Sequence, residues 1–196
     1  MLLERMMRAA RLDKRFYNEV EADIGATGQA ATVVAIVAVA NAIGGLIGVL
    51  LGEALTRALG VGGSVAGTGA SIFGLILSAV FFVIGWVIWS YLTYFIGTRM
   101  FQGTATPGEM LRTLGFATTP YILGALSFIP CLGFFAWLAG VVWMMVAGVV
   151  AVREALDFDT GKAIITVLLA AVPLILLQVI LFIVNVLGAV ALSGVR

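Results

Sequence analysis

Hydrophobic and polar positions alternate along this chain in long blocks. Five apolar stretches, at about residues 30–51, 70–96, 110–129, 133–152 and 163–192, are separated by short segments that hold almost all the charge. Apolar runs of about 18 residues or more are long enough to cross the hydrocarbon of a bilayer as helices. The pattern predicts an all-α, polytopic membrane protein: a five-transmembrane-helix bundle over residues 30–196, preceded by an amphipathic segment over 1–29. Little of the chain remains for a soluble domain.

The first 28 residues differ in kind. Charged residues are spread throughout them, unlike the short charged start and apolar core of a signal peptide. At 100° per residue, Leu3, Met6, Met7, Ala10 and Tyr17 fall on one face, and Arg5, Arg8, Arg11, Arg15 and Glu19 on the other. That predicts a helix lying in the headgroup region, with Arg5, Arg8, Arg11, Lys14 and Arg15 as interfacial cations and membrane lipids as partners. The competing reading is a solvated helix packed on the bundle. Leu12 falls on the polar side, and Asp13 and Lys14 on the apolar one.

Lys and Arg set the expected orientation. With the N-terminus inside, nine of them lie on the cytoplasmic side and only Arg57 and Arg196 lie outside. The expectation is a multi-pass protein of a cell (cytoplasmic or inner) membrane, N-terminus cytoplasmic and C-terminus outside.

Within the spans, small and polar residues mark positions of interest. Gly44, Gly48 and Gly52 recur every four residues and predict a groove for helix packing. Asn41 stands beside it, read as an interhelical hydrogen bond in preference to a solute contact. Thr118, Thr119 and Pro120 predict a kink in the third span, with a threonine satisfying a carbonyl that the proline frees. Pro173 predicts another kink in the fifth span, near the polar Gln178 and Asn185. Thr106, Pro107 and Glu109 read as the start of the third span, and Asp159 or Thr160 as the cap of the fifth. Trp86, Trp89, Tyr91 and Tyr94 read as interfacial aromatics.

Candidate chemistry changes the picture little. The chain is 62% hydrophobic and 11% charged, with a mean hydropathy of +1.17. It has no histidine and one cysteine, Cys131. No catalytic set, metal ligand set or cofactor motif emerges, and a net charge of +1 gives no reason to expect nucleic acid.

Three stretches together resemble the Yip1 domain family of five-span membrane proteins: Arg11-Leu12-Asp13-Lys14-Arg15-Phe16-Tyr17 and its continuation to Asp23; residues 97–120, with Leu111-Arg112-Thr113-Leu114-Gly115-Phe116-Ala117 and Pro120; and residues 151–163, with Arg153-Glu154-Ala155-Leu156-Asp157-Phe158. The resemblance implies a cytoplasmic N-terminus. For eukaryotic members it also implies Golgi or endoplasmic-reticulum residence, Rab-type GTPase binding and roles in vesicle traffic. Their Asp-Leu-Tyr-Gly-Pro signature is absent here, which counts against Rab binding, and the compact, Ala-, Val- and Gly-rich form is similar to prokaryotic members. The expected function is a non-enzymatic membrane scaffold, membrane-shaping protein or trafficking-type adaptor, self-associating or bound to other membrane proteins. The alternative is a small transporter or channel for a lipid or neutral solute, with Asn41, Thr118, Thr119, Pro120, Gln178 and Asn185 along its path.

Overall fold

The structure is a computed structural model. It describes residues 1–60 and 68–193, and the side chains of 68–71 and of most positions beyond 180 lie outside the described residues. Every regular element in it is helical.

The N-terminal segment forms two helices rather than one. Helix α1 spans Leu2–Ala10 and α2 spans Lys14–Ala22. The chain turns at Leu12, whose φ is +60°, and Asp13 starts α2 by accepting hydrogen bonds from the backbone N–H groups of Arg15 and Phe16. The turn explains why Leu12, Asp13 and Lys14 break a single helical periodicity.

Helix α3 (Ala26–Ala58) and α4 (Thr68–Phe101) are long and apolar, as are α6 (Leu132–Ala155) and α7 (Thr160–Ser193). Among the described residues, these four are the helices long and apolar enough to cross a membrane. The stretch read as the third span is built differently. Helix α5 (Pro107–Ala117) stops at Thr118, and residues Thr119–Phe128 continue as a 3₁₀ helix. The expected kink is thus a change of helix type. Pro120 cannot donate to the α-helical ladder, and Thr118 and Thr119 turn their hydroxyls onto the Gly115 and Phe116 carbonyls, both at 2.7 Å.

Helix starts follow local chemistry. Thr106 and Glu109 form a reciprocal capping box at α5, with Pro107 in the first turn. Asp159 accepts from the N–H groups of Gly161 and Lys162 at the start of α7. The tight turn at Pro130–Gly133 folds α6 back along the 3₁₀ helix, with Cys131 exposed at a φ of +63°.

Packing is uneven along the bundle axis. The buried residues of α3 are Ala26, Ala30, Val33, Val34, Val37, Ala38 and Gly44, all in its first 19 positions. On α4 the buried residues include Trp86, Trp89, Ser90 and Thr93, and on α7 they are Ala163, Thr166, Val167, Ala170 and Ala171. The core therefore sits in the half of the bundle next to α1 and α2. In the other half, Ile72, Phe73, Ile76, Leu77, Ile175, Leu176 and Val179 are exposed apolar surface of the kind that faces acyl chains.

Candidate functional site

The N-terminal hairpin is clamped to the bundle by side chain-to-backbone bonds. Phe16, Tyr17 and Val20 of α2 are buried, and the Phe16 ring meets Phe116 of α5 edge-on at 5.2 Å. The Tyr17 hydroxyl donates to the Ala9 carbonyl at 3.2 Å, and burial pushes its pKa up. The Trp143 indole on α6 donates to the Ala10 carbonyl at 2.9 Å. Arg112, only 5% exposed, reaches from α5 to the last turn of α2. There it donates to the Val20 carbonyl at 3.2 Å and to the Glu21 carbonyl. A guanidinium at a helix C-terminus satisfies orphan carbonyls and opposes the negative end of the dipole. Arg112 is one of the nine cytoplasmic-side cations of the charge count; its sequence signal is a single charge inside the apolar run from Met110 to Ala117.

Two arginines of the hairpin are held in ion pairs. Arg8 bonds Asp13 at 2.8 Å and both oxygens of Glu19 at 2.7 and 3.0 Å, and lies over the Phe16 ring. These bonds raise the Arg8 pKa and hold the Asp13 and Glu19 carboxyls below the usual range. Arg5 bonds Asp23 at 3.0 Å and Gln29 at 3.1 Å, tying α1 to the start of α3. Arg11, Lys14 and Arg15 are exposed at the α1–α2 turn and have no ion-pair partner among the described residues. Leu3 and Met7 also face outward, whereas Met6 and Ala9 are buried against the bundle. The far end of the hairpin is acidic. Glu21 is half-buried there, and desolvation, reinforced by Glu109 and Asp157, pushes its pKa up.

The mid-depth polar residues divide. Asn41 donates to the Val37 carbonyl at 2.9 Å and, across helices, to the Tyr121 carbonyl at 3.2 Å in the 3₁₀ helix. With Thr118 and Thr119 it stands at the junction where α5 ends, and Pro120 is buried beside it. Pro173 and Gln178 lie elsewhere, on the exposed surface of α7, which runs on as helix through Pro173. The Asn185 side chain lies outside the described residues.

The glycine series also divides. A Cβ at Gly44 would collide with the Ala125 carbonyl, one at Gly48 would rest against Phe128 at 3.5 Å, and Gly52 has open space. Trp86 and Trp89 point into the core instead of toward headgroups. The Trp86 indole donates to the Leu111 carbonyl at 3.2 Å. Tyr91 is exposed.

The three stretches noted in the sequence converge on this side of the molecule. The first docks on the second through Phe16–Phe116 and Arg112. The third reaches the second through Leu156, packed on Gly97, and Phe158, packed on Gly103. Among the described residues, no three His, Cys, Asp or Glu side chains gather to hold a metal ion.

The family model of the Yip1 domain matches residues 14–183. Neither a curated protein nor a solved structure matches the chain.

Proposed function

The chain belongs to the Yip1 domain family of generally non-enzymatic, multi-pass membrane proteins, and on that premise we propose that it is a membrane scaffold that shapes the leaflet at its N-terminus. The observation that carries this reading is the docked hairpin. It hides Phe16, Tyr17 and Val20 in the bundle yet presents Arg11, Lys14, Arg15, Leu3 and Met7 outward, a mixture suited to lipid headgroups and the upper acyl region. Its partners are membrane lipids, and self-association or other membrane proteins are further candidates.

In this reading the hairpin is cytoplasmic, as the Lys and Arg distribution favours, and the membrane is that of a prokaryotic cell. The α5–3₁₀ segment serves as the fifth crossing. Its 11 α-helical and 10 3₁₀ residues extend about 36 Å, against a hydrocarbon thickness of about 30 Å.

The transporter reading draws on the Trp89 indole N–H and the Thr166 hydroxyl, which are buried without a partner among the described residues. Against it, Asn41, Thr118 and Thr119 already bond protein carbonyls. Reconstitution separates the readings. A scaffold deforms vesicles progressively with protein density and leaves a trapped neutral solute inside; saturable solute release from undeformed vesicles would overturn the proposal.

A further inference from the structure

Helix α6 has 24 residues, and Trp143 is the twelfth. Its indole bonds Ala10, next to the α1–α2 turn. The charged turn therefore sits about 16 Å along α6 from Leu132. The pairing of Phe16 with Phe116, near the C-terminal end of α5, places the start of α2 similarly deep.

The α4 face is different. A Cβ at Gly148 would lie 2.9 Å from the Trp89 ring, so these two positions share a height. Above Trp89, Tyr91 and Phe95 are exposed, Phe95 by 58%. Apolar surface on α4 thus continues about 16 Å above the level of Trp143. Along α4, from Ile72 to Phe95, the exposed apolar face is about 35 Å long; along α6, from Leu132 past Trp143 to Val146, it is about 21 Å.

Resting on the reading of the hairpin as a leaflet contact, we propose that Arg11, Lys14 and Arg15 hold anionic phospholipid headgroups at the mid-height of α6 and thin the bilayer on that side of the molecule. Charge along the hairpin supports this occupant. The unpaired cations lie at the deep turn, while Glu21, Glu109 and Asp157 lie at the far end. Trp143 stands at the level where an interfacial aromatic belongs on this face, as Tyr91 does on the other. Tilting the bundle does not remove the mismatch. It would bring the Pro130–Gly133 turn into hydrocarbon, where its backbone groups lack water.

Nitroxide labels test the inference in vesicles of phosphatidylcholine and phosphatidylglycerol. One label goes on native Cys131. Lys14→Cys and Phe95→Cys each carry another in a Cys131→Ser background. Depth is read from collisions with oxygen and with a water-soluble nickel chelate. The expected result places the Lys14 and Phe95 labels at one depth, in the headgroup layer, and Cys131 in the opposite headgroup layer. A depth difference near 16 Å between the first two, or Cys131 in hydrocarbon, would overturn it. Replacing Arg11, Lys14 and Arg15 together with Gln should abolish preferential contact with phosphatidylglycerol over phosphatidylcholine, and added inorganic phosphate should leave the wild-type preference intact. An unchanged preference in the triple variant, or its loss to free phosphate, would remove the lipid assignment. These depths do not depend on solute movement, so failure here is separate from failure of the scaffold reading.

Discussion

The half of the bundle beside the hairpin and the half beyond Gly44 are built by different rules. Near the hairpin, large side chains are buried and carbonyls receive side-chain donors: Arg112 on Val20, Trp86 on Leu111, Trp143 on Ala10 and Asn41 on Tyr121. Beyond Gly44, α3, α4 and α7 present Leu50, Leu51, Phe73, Ile76, Leu176 and Val179 outward. Lipid tails are as apolar as leucine, so helices in hydrocarbon gain little from burying such side chains against one another. Close backbone approach and hydrogen bonds must hold the bundle. The contrast teaches that sequence hydrophobicity marks where lipid is, whereas sparse polar and glycine positions mark where the protein holds itself together.

The sharpest way to break this contrast lies on α3 itself. Gly44→Ala drives a methyl into the Ala125 carbonyl, and an overpacked backbone contact costs about 3 kcal/mol. Gly52→Ala, with open space around it, should be neutral or should stabilise by up to about 1 kcal/mol through helix propensity. Reversible unfolding in mixed micelles measures both; equal effects would erase the distinction between the halves.

Arg112→Leu comes next. It leaves the Val20 and Glu21 carbonyls without their donor, at about 2 kcal/mol. The loss should fall on the hairpin, seen as faster amide exchange in α1 and α2 with α7 unchanged.

A smaller effect compares two carboxamides. Asn41→Ala removes an interhelical bond and should cost about 1 kcal/mol. Gln178 is exposed on α7, so Gln178→Leu should not destabilise in the same assay.

The smallest effect concerns pH. The Glu21 pKa is raised, chiefly by desolvation and then by Glu109, Asp157 and Glu154, against the pull of Arg112. The docked state therefore binds the proton more tightly than the undocked one. Docking weakens as pH rises from the ordinary carboxylate range through the raised value. Asp13 and Glu19 act oppositely and lower. Their pKa values are depressed by Arg8, so their contribution is lost only as pH falls below the ordinary range. Glu21→Gln should flatten the upper dependence of α2 exchange and leave the lower one.

Much of the architecture was legible in the sequence because apolar length, turn residues and caps act locally. Thr106, Pro107, Glu109 and Asp159 start helices as their chemistry requires. The departures share a cause: each depends on which neighbour a residue meets. One helical wheel drawn through Leu12 hides a turn that Asp13 caps. The position of Trp86 and Trp89 near a span end says nothing of the face they take, and Gly148 receives the Trp89 ring in the core. Counting Arg112 among loop charges assumes solvent, yet two helix-terminal carbonyls replace it. Asn41 bonds across helices, but its partner is a carbonyl of a 3₁₀ helix that the apolar pattern does not distinguish from α.

A scaffold keeps its mid-depth polar groups bonded inside the protein, and thiol accessibility measures that most directly. Cysteines at Asn41 and Thr119, each in a Cys131→Ser background, are treated in sealed vesicles with a small membrane-impermeant thiol reagent from either side, with Lys14→Cys as the accessible control. The scaffold account predicts rapid reaction at Lys14 and none at Asn41 or Thr119. Rapid reaction at both inner positions would reveal a hydrated path through the bundle and contradict it.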